Sequence, residues 1–184
     1  MRIAVSKLAV VCSVDIGGGS TELQVVGTDV RTSLDVGCVR MTERFGEDVG
    51  AIRAHVGALL PALEAPRAIG VAGTVTTMAA LDLGFERYDP ERIHGHELSA
   101  AAAAAQAERL AALSLDERVA AGVEPGRAGV IVAGAAILTE ILDRYGLAAI
   151  EVSERDILHG AAFAAAELPE PEEGAAPPGA YTCC

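Results

Sequence analysis

An α/β fold, a mixed β-sheet with helices packed on it, is predicted by three features of the sequence. Three short β-rich runs follow one another around a triple glycine near the start. From residue 48 onward, stretches with helical apolar spacing alternate with short apolar runs of strand type. The hydrophobic fraction is 51% while aromatic residues make up only 3%, so the core is expected from small aliphatic side chains between closely packed elements.

The elements follow in order. Leu8–Ile16 reads as a buried strand, and Thr21–Val26 alternates polar and apolar as a half-exposed one. Gly27-Thr28-Asp29 is a turn, and Val30–Val36 a third strand ending at Gly37. Together they predict an antiparallel meander with the glycines at its first hairpin. Asp48–Leu63 has helical spacing at Val49, Ile52, Val56, Leu59, Leu60 and Leu63, with Pro66 beyond its end. Ala68–Ala72 is a buried strand, Gly73-Thr74 a turn, Val75–Leu83 a helix, and "RYDPERIHGHE" a polar loop. Ser99 is placed to N-cap an alanine-rich helix to about Ala112, and Ser114 a short one through Val119. After Pro125 and Gly126, Arg127–Tyr145 reads as a long apolar helix stopped by Gly146, its small residues "AGAAIL" allowing close packing. Ala149–Ser153 is a last strand and Asp156–Ala166 a last helix. Residues 1–10 are an atypical start, 11–167 the folded domain, and 168–184 an acidic Pro- and Gly-rich tail expected to be disordered.

Charge and cysteine usage narrow the function. The 184 residues carry a formal net charge of -12, which argues against duplex nucleic acid or an anionic membrane as partner. An acidic protein that handles anions must do so locally, with backbone N–H groups, metal ions and a few arginines. Cys12, Cys38, Cys183 and Cys184 have neither metal-ligand nor disulfide-framework spacing, so a reducing, cytoplasmic location is expected. Arg2 and Lys7 precede an apolar run, but the run is short, meets Asp15 at once and lacks a small-residue cleavage site, so no secretion signal is expected.

Glycines 17, 18 and 19 remove every Cβ from the hairpin tip, which lets successive N–H groups cradle a phosphate. The flanking acids fit that chemistry. Asp15 and Glu22 can both face one phosphate, holding Mg²⁺ through carboxylate and water or orienting an attacking water. A flexible hairpin with two solvated acids accounts for the same residues. "GVAGTVTTMAAL", Gly70–Leu81, is a second element of this kind: a strand runs through Gly73 and Thr74 into a helix, gathering helix-start N–H groups with the hydroxyls of Thr74, Thr76 and Thr77. Simple capping by Thr74 is the alternative. His94 and His96 lack a third ligand at a suitable spacing and read as loop residues. His55 reads as a surface residue of its helix.

Five collinear blocks, "VDIGGGSTEL", "SLDVGCVRMTERF", "IGVAGTVTTMAAL", "YDPERIHGHELS" and "GVIVAGAAILTEIL", resemble those of the exopolyphosphatase / guanosine-pentaphosphate phosphohydrolase (Ppx/GppA) family, which shares a superfamily with actin, sugar kinases and heat-shock ATPases. The resemblance implies a ribonuclease-H-like domain of βββαβαβα order, the second of the family's two. It implies hydrolysis of a terminal phosphate from inorganic polyphosphate, or of the 5′ γ-phosphate from guanosine pentaphosphate, with Mg²⁺. On matching positions Asp15 and Glu22 would be the catalytic and metal-binding acids. Gly17, Gly18, Gly19, Ser20 and Thr21 would cradle phosphate, Gly73 and Thr74 would form the opposite lip, and Arg40 would be a phosphate contact or half of a salt bridge.

The family's first domain, with a D-x-G loop and a catalytic glutamate, has no counterpart ahead of Asp15, and Glu43, Glu47 and Asp48 have no spacing that makes them substitutes. Gly129 stands where the resemblance leads one to expect an acid, and His159 where the family often carries an acidic or charged residue. The expectation is therefore a fragment that supplies one wall of a cleft and self-associates, as a homodimer or in poorly soluble form. A phosphate-binding module without turnover and a nucleotide-dependent, kinase-like relative are the competing readings.

Overall fold

The computed structural model describes residues 11–26, 28–63, 66–85, 88–155 and 166. The expected start over residues 1–10, the Gly27 position, the last helix with His159, and the acidic tail lie outside the described residues, except that Ala166 is helical. The chain divides into two compact units at Glu154/Arg155, and every element named below belongs to the first.

Six strands form one sheet: β1 (Val11–Ile16), β2 (Thr21–Val25), β3 (Arg31–Leu34), β4 (Arg67–Val71), β5 (Glu97–Ser99) and β6 (Ala149–Val152). Their order is β3-β2-β1-β4-β6-β5. The first three make the expected antiparallel meander, while β4 runs parallel to both β1 and β6. Among the described residues seven helices accompany the sheet: α1 (Cys38–Phe45), α2 (Val49–Leu59), α3 (Ala72–Asp82), α4 (Pro90–Ile93), α5 (Ala100–Ala112), α6 (Leu115–Ala120) and α7 (Ile131–Arg144).

The strand alternation decides which face the core takes. Cys12, Val14, Ile16, Leu23, Val25, Ala68, Ile150 and Val152 are buried. They join α7, whose residues from Ile131 to Thr139 are buried throughout. The small residues of α7 act as expected. A Cβ on Gly134 would lie 2.6 Å from Thr74 Oγ1, so only glycine lets α7 pack this closely on α3. The other sheet face carries Ser13, Asp15, Glu22, Gln24 and Ser33, half-buried or exposed.

Several helix ends follow local chemistry. Asp48 caps α2 by accepting from Ala51 N at 2.9 Å, and Ser99 caps α5 by accepting from Ala102 N at 3.0 Å. Ser114 and Glu117 form a reciprocal capping box on α6. Gly146 ends α7 at a φ of 61°, in the left-handed region.

Five expectations are corrected. The segment after Gly37 is a helix, α1, where none was expected. The "RYDPERIHGHE" loop contains α4 and opens into β5, a three-residue edge strand too short to show a period. Gly73 and Thr74 are not a turn before a helix but part of the first turn of α3, and the long apolar helix starts at Ile131 rather than Arg127. Helix α2 stops at Leu59, four residues before Leu63, ahead of Pro61.

Candidate phosphate site

The parallel pairing of β1 with β4 puts the two glycine motifs side by side. Asp15 is in register with Val71, so both strands end at the same sheet edge, one entering Gly17 and the other Ala72. Ligands of α/β sheets bind at such carboxyl ends. Across the antiparallel hairpin, Asp15 is in register with Glu22, which places both carboxylates on the same face. Ser33 stands opposite Glu22 on β3 and donates its hydroxyl to Glu22 Oε1 at 2.7 Å.

The glycine loop owes its shape to close approach, since none of its three glycines takes the left-handed region. The start of α1 presses on it. Cys38 N donates to Gly17 O at 3.0 Å, Val39 N and Arg40 N donate to Gly18 O at 2.9 and 3.1 Å, and Arg40 Nε donates to Gly19 O at 2.8 Å. A Cβ on Gly37 would sit 2.3 Å from Gly18 O, which forces glycine there. With three successive carbonyls turned toward α1, the planar trans peptides turn the N–H groups of Gly18, Gly19 and Ser20 the other way. Among the described residues those amides have no protein acceptor. Successive unpaired amides of this kind are what an anion cradle requires.

The opposite lip is built differently. Ala72 opens α3 at a φ of +69°, the one non-glycine residue with positive φ among those described. Such a conformation costs about 1–3 kcal/mol and tends to be kept at functional sites. No side chain caps α3. The Arg127 guanidinium lies on Gly73, where a Cβ would be 2.5 Å from Arg127 Cζ. Its Nη1 donates to Thr77 Oγ1 at 3.4 Å and its Nε faces Glu124 at 3.4 Å.

A cavity of about 150 Å³ lies between the two lips, lined by Ile16, Gly17, Gly18, Cys38, Gly73, Thr74 and Arg127 among others. It is smaller than the roughly 300–1,000 Å³ clefts that hold whole organic ligands, and suits a phosphoryl group. A second cavity of about 400 Å³, lined by Thr77, Tyr88, Glu124 and Arg127 among others, shares Arg127 with it. Burial pushes the Cys38 thiol above its ordinary value, so it lines the first cavity as a neutral group.

The sequence-derived residues fare unequally. Asp15, Glu22, Gly17, Gly18, Gly19, Ser20, Gly73 and Thr74 gather at this sheet edge. Thr21 is corrected: its side chain is fully buried on the core face and its hydroxyl donates to Val36 O, because alternation turns residue 21 away from the side Glu22 faces. Arg40 braces the Gly19 carbonyl and lies 3.6 Å from Asp35. Glu47 binds Arg118 and Asp48 caps α2, so neither substitutes for a catalytic acid. His96 pairs with Asp82 at 2.8 Å. Among the described residues no three His, Cys, Asp or Glu side chains cluster to hold a metal ion. Two carboxylates completed by water and substrate oxygens still match what Mg²⁺ takes in phosphate sites. Arg127 and Cys38 were not picked out from the sequence. An isolated arginine after Pro-Gly in an acidic chain was the available signal for the first.

Comparison with known proteins identifies the family and the fold. The profile of the Ppx/GppA phosphatase family matches residues 2–167. Exopolyphosphatase 2 of Mycobacterium tuberculosis is 37% identical over 174 residues, covering 83% of this chain and 54% of the relative. The bifunctional 3-dehydroquinate synthase/phosphatase of Fusobacterium nucleatum is 36% identical over 165 residues, covering 80% of this chain and 25% of the relative. The Aquifex aeolicus Ppx/GppA phosphatase, in its type II crystal structure, superposes with a TM-score of 0.75 at 26% identity, covering 85% of this chain and 57% of that one. An exopolyphosphatase-like protein superposes at 0.70 with 29% identity, covering 83% and 59%. The chain thus spans about half the length of the exopolyphosphatase it matches. The fold is the actin-like, ribonuclease-H-like one. The chain belongs to the Ppx/GppA phosphatase family.

Proposed function

We propose that this member of the family works in Mg²⁺-dependent removal of the terminal phosphate from inorganic polyphosphate or of the 5′ phosphate from guanosine pentaphosphate. The observation that carries the reading is the small cavity shared by the glycine loop, the start of α3 and Arg127, at the sheet edge where Asp15 and Glu22 stand in register. The amides of Gly18, Gly19 and Ser20 bind non-bridging oxygens of the terminal phosphoryl group, and the start of α3 binds from the other side. Arg127 neutralises charge on the oxygens and resists rotation of the group because its fork is planar. Glu22, steadied by the Ser33 hydroxyl, accepts a hydrogen bond from the attacking water and aims it at phosphorus. The bridging P–O bond breaks, the shortened chain departs, and the water proton passes to a carboxylate. Asp15 and Glu22 are the residues that would hold Mg²⁺, which supplies neutralisation of phosphate charge.

The test is phosphate release from long-chain polyphosphate with Mg²⁺, comparing the protein with Glu22→Gln. Release that falls by about two to four orders of magnitude in the variant supports the hydrolytic reading. Equal release from both overturns Glu22's role. Binding of polyphosphate without any release supports instead a phosphate-binding module.

A further inference from the structure

Arg118 on α6 is a fully buried cation, with 1% of its surface exposed, and the site described above does not use it directly. A buried guanidinium is costly to the fold unless it is paired and hydrogen-bonded, and here each of its three nitrogens has a partner. Its Nε donates to Leu110 O at 2.8 Å at the end of α5, and Nη1 donates to Ala128 O at 3.1 Å. Nη1 and Nη2 meet the two carboxylate oxygens of Glu47 as a fork, Nη2 at 2.8 Å. Pairing with Arg118 holds the Glu47 carboxyl below the usual glutamate range.

Those partners join the two walls of the phosphate cavity. Glu47 follows α1, whose first residues grip the carbonyls of the glycine loop. Ala128 follows Arg127 directly, in a turn that runs from Glu124 into α7. Arg127 itself is held loosely, by two contacts of 3.4 Å and with its side chain 40% exposed. The turn closes on itself through Arg127 N to Glu124 O at 2.8 Å and Ile131 N to Arg127 O at 2.9 Å, and the Ala128 carbonyl on Arg118 ties that closed turn to Glu47.

We infer that the Arg118–Glu47 clasp is a positioning device that fixes the Arg127 turn relative to α1, and so sets how tightly the cavity grips a phosphoryl group. The inference rests on the reading of Arg127 as a phosphate ligand. An apolar side chain of similar volume would fill the same space, but would fix neither the Ala128 carbonyl nor the distance between the walls.

The test uses the full chain and tripolyphosphate with Mg²⁺, with affinity measured by calorimetry at a temperature where circular dichroism shows every variant folded. Glu47→Gln keeps the shape and removes the charged fork, and should weaken binding roughly three- to tenfold. In an Arg127→Ala background the same change should weaken binding no further. Hydrogen exchange should quicken at the Arg127–Val130 amides in Glu47→Gln without quickening in α2. Arg53→Gln is the control, since it cuts the ion pairs of α2 with Glu140 and Asp143, away from the cavity, and should lower stability without changing affinity. Unchanged exchange at Arg127–Val130, unchanged affinity in Glu47→Gln, or an equal loss in Arg53→Gln each overturns the clasp. If the unaltered protein fails to bind tripolyphosphate, or Arg127→Ala binds it as well as the unaltered protein does, the phosphate reading fails first.

Discussion

The two lips of the cavity solve the same problem by opposite means. The Gly17–Ser20 loop is shaped by backbone: α1 fills its carbonyls, and the amides are left facing outward. The Ala72–Thr74 lip is shaped by strain and by a side chain, with Ala72 at positive φ and Arg127 laid over Gly73. The first is rigid because moving it means breaking several main-chain hydrogen bonds at once. The second is adjustable because a long, half-buried arginine can move without disturbing the sheet. A cleft that must grip a charged group and then release its product gains from one fixed wall and one yielding wall.

Substitutions at three positions should separate the two designs. Gly37→Ala has the largest expected effect, since its Cβ meets the Gly18 carbonyl at 2.3 Å and the nearest atoms are all backbone of Gly18 and Gly19. Overpacking of this kind costs about 1–3 kcal/mol, so thermal melting should show a lower Tm and calorimetry a loss of tripolyphosphate binding together. Gly73→Ala should split those readouts. Its Cβ collides with the movable end of Arg127, so stability should stay within about 0.5 kcal/mol while phosphate affinity falls roughly tenfold. Arg40→Gln, which removes the brace on Gly19 O, should cost about 0.5–1.5 kcal/mol in binding or stability, read by the same pair of measurements. If Gly73→Ala melts as early as Gly37→Ala, the contrast between the lips is wrong.

The smallest effect concerns acid. Glu47 has a lowered folded-state pKa, so its pairing with Arg118 contributes stability fully present above the ordinary glutamate pKa. That contribution is lost as pH falls through the lowered value. Acid titration of Glu47→Gln against the unaltered protein should therefore show a stability difference at neutral pH that closes below the usual carboxylate range.

The meander and both glycine motifs were legible because each leaves a local trace: period-two alternation, flanking acids, and strand-to-glycine boundaries. Residue patterns alone do not show the sheet edge that unites them, since it depends on β4 choosing β1 as a parallel neighbour; only the family resemblance set Gly73 and Thr74 opposite the glycine loop. Helix α1 escaped notice because it is short and buries only Met41 fully, while Val39, an apolar residue, faces outward over Gly18. Thr21 was misassigned because its neighbours belong to the loop, whereas its own side chain obeys the strand. Arg127 and Arg118 are single cations in stretches read as helices, and helical spacing says nothing of what a lone cation contacts. Their roles come from contacts across 50 and 71 positions of sequence, which no local pattern encodes.

The most direct measurement is an amide NMR titration of the protein with tripolyphosphate and Mg²⁺. The account predicts that Gly18, Gly19, Ser20, Gly73 and Thr74 shift together and saturate at one affinity, while amides of α2 and α5 stay still. Shifts at only one lip, or saturation of the two lips at different affinities, would contradict a single phosphate site held between them.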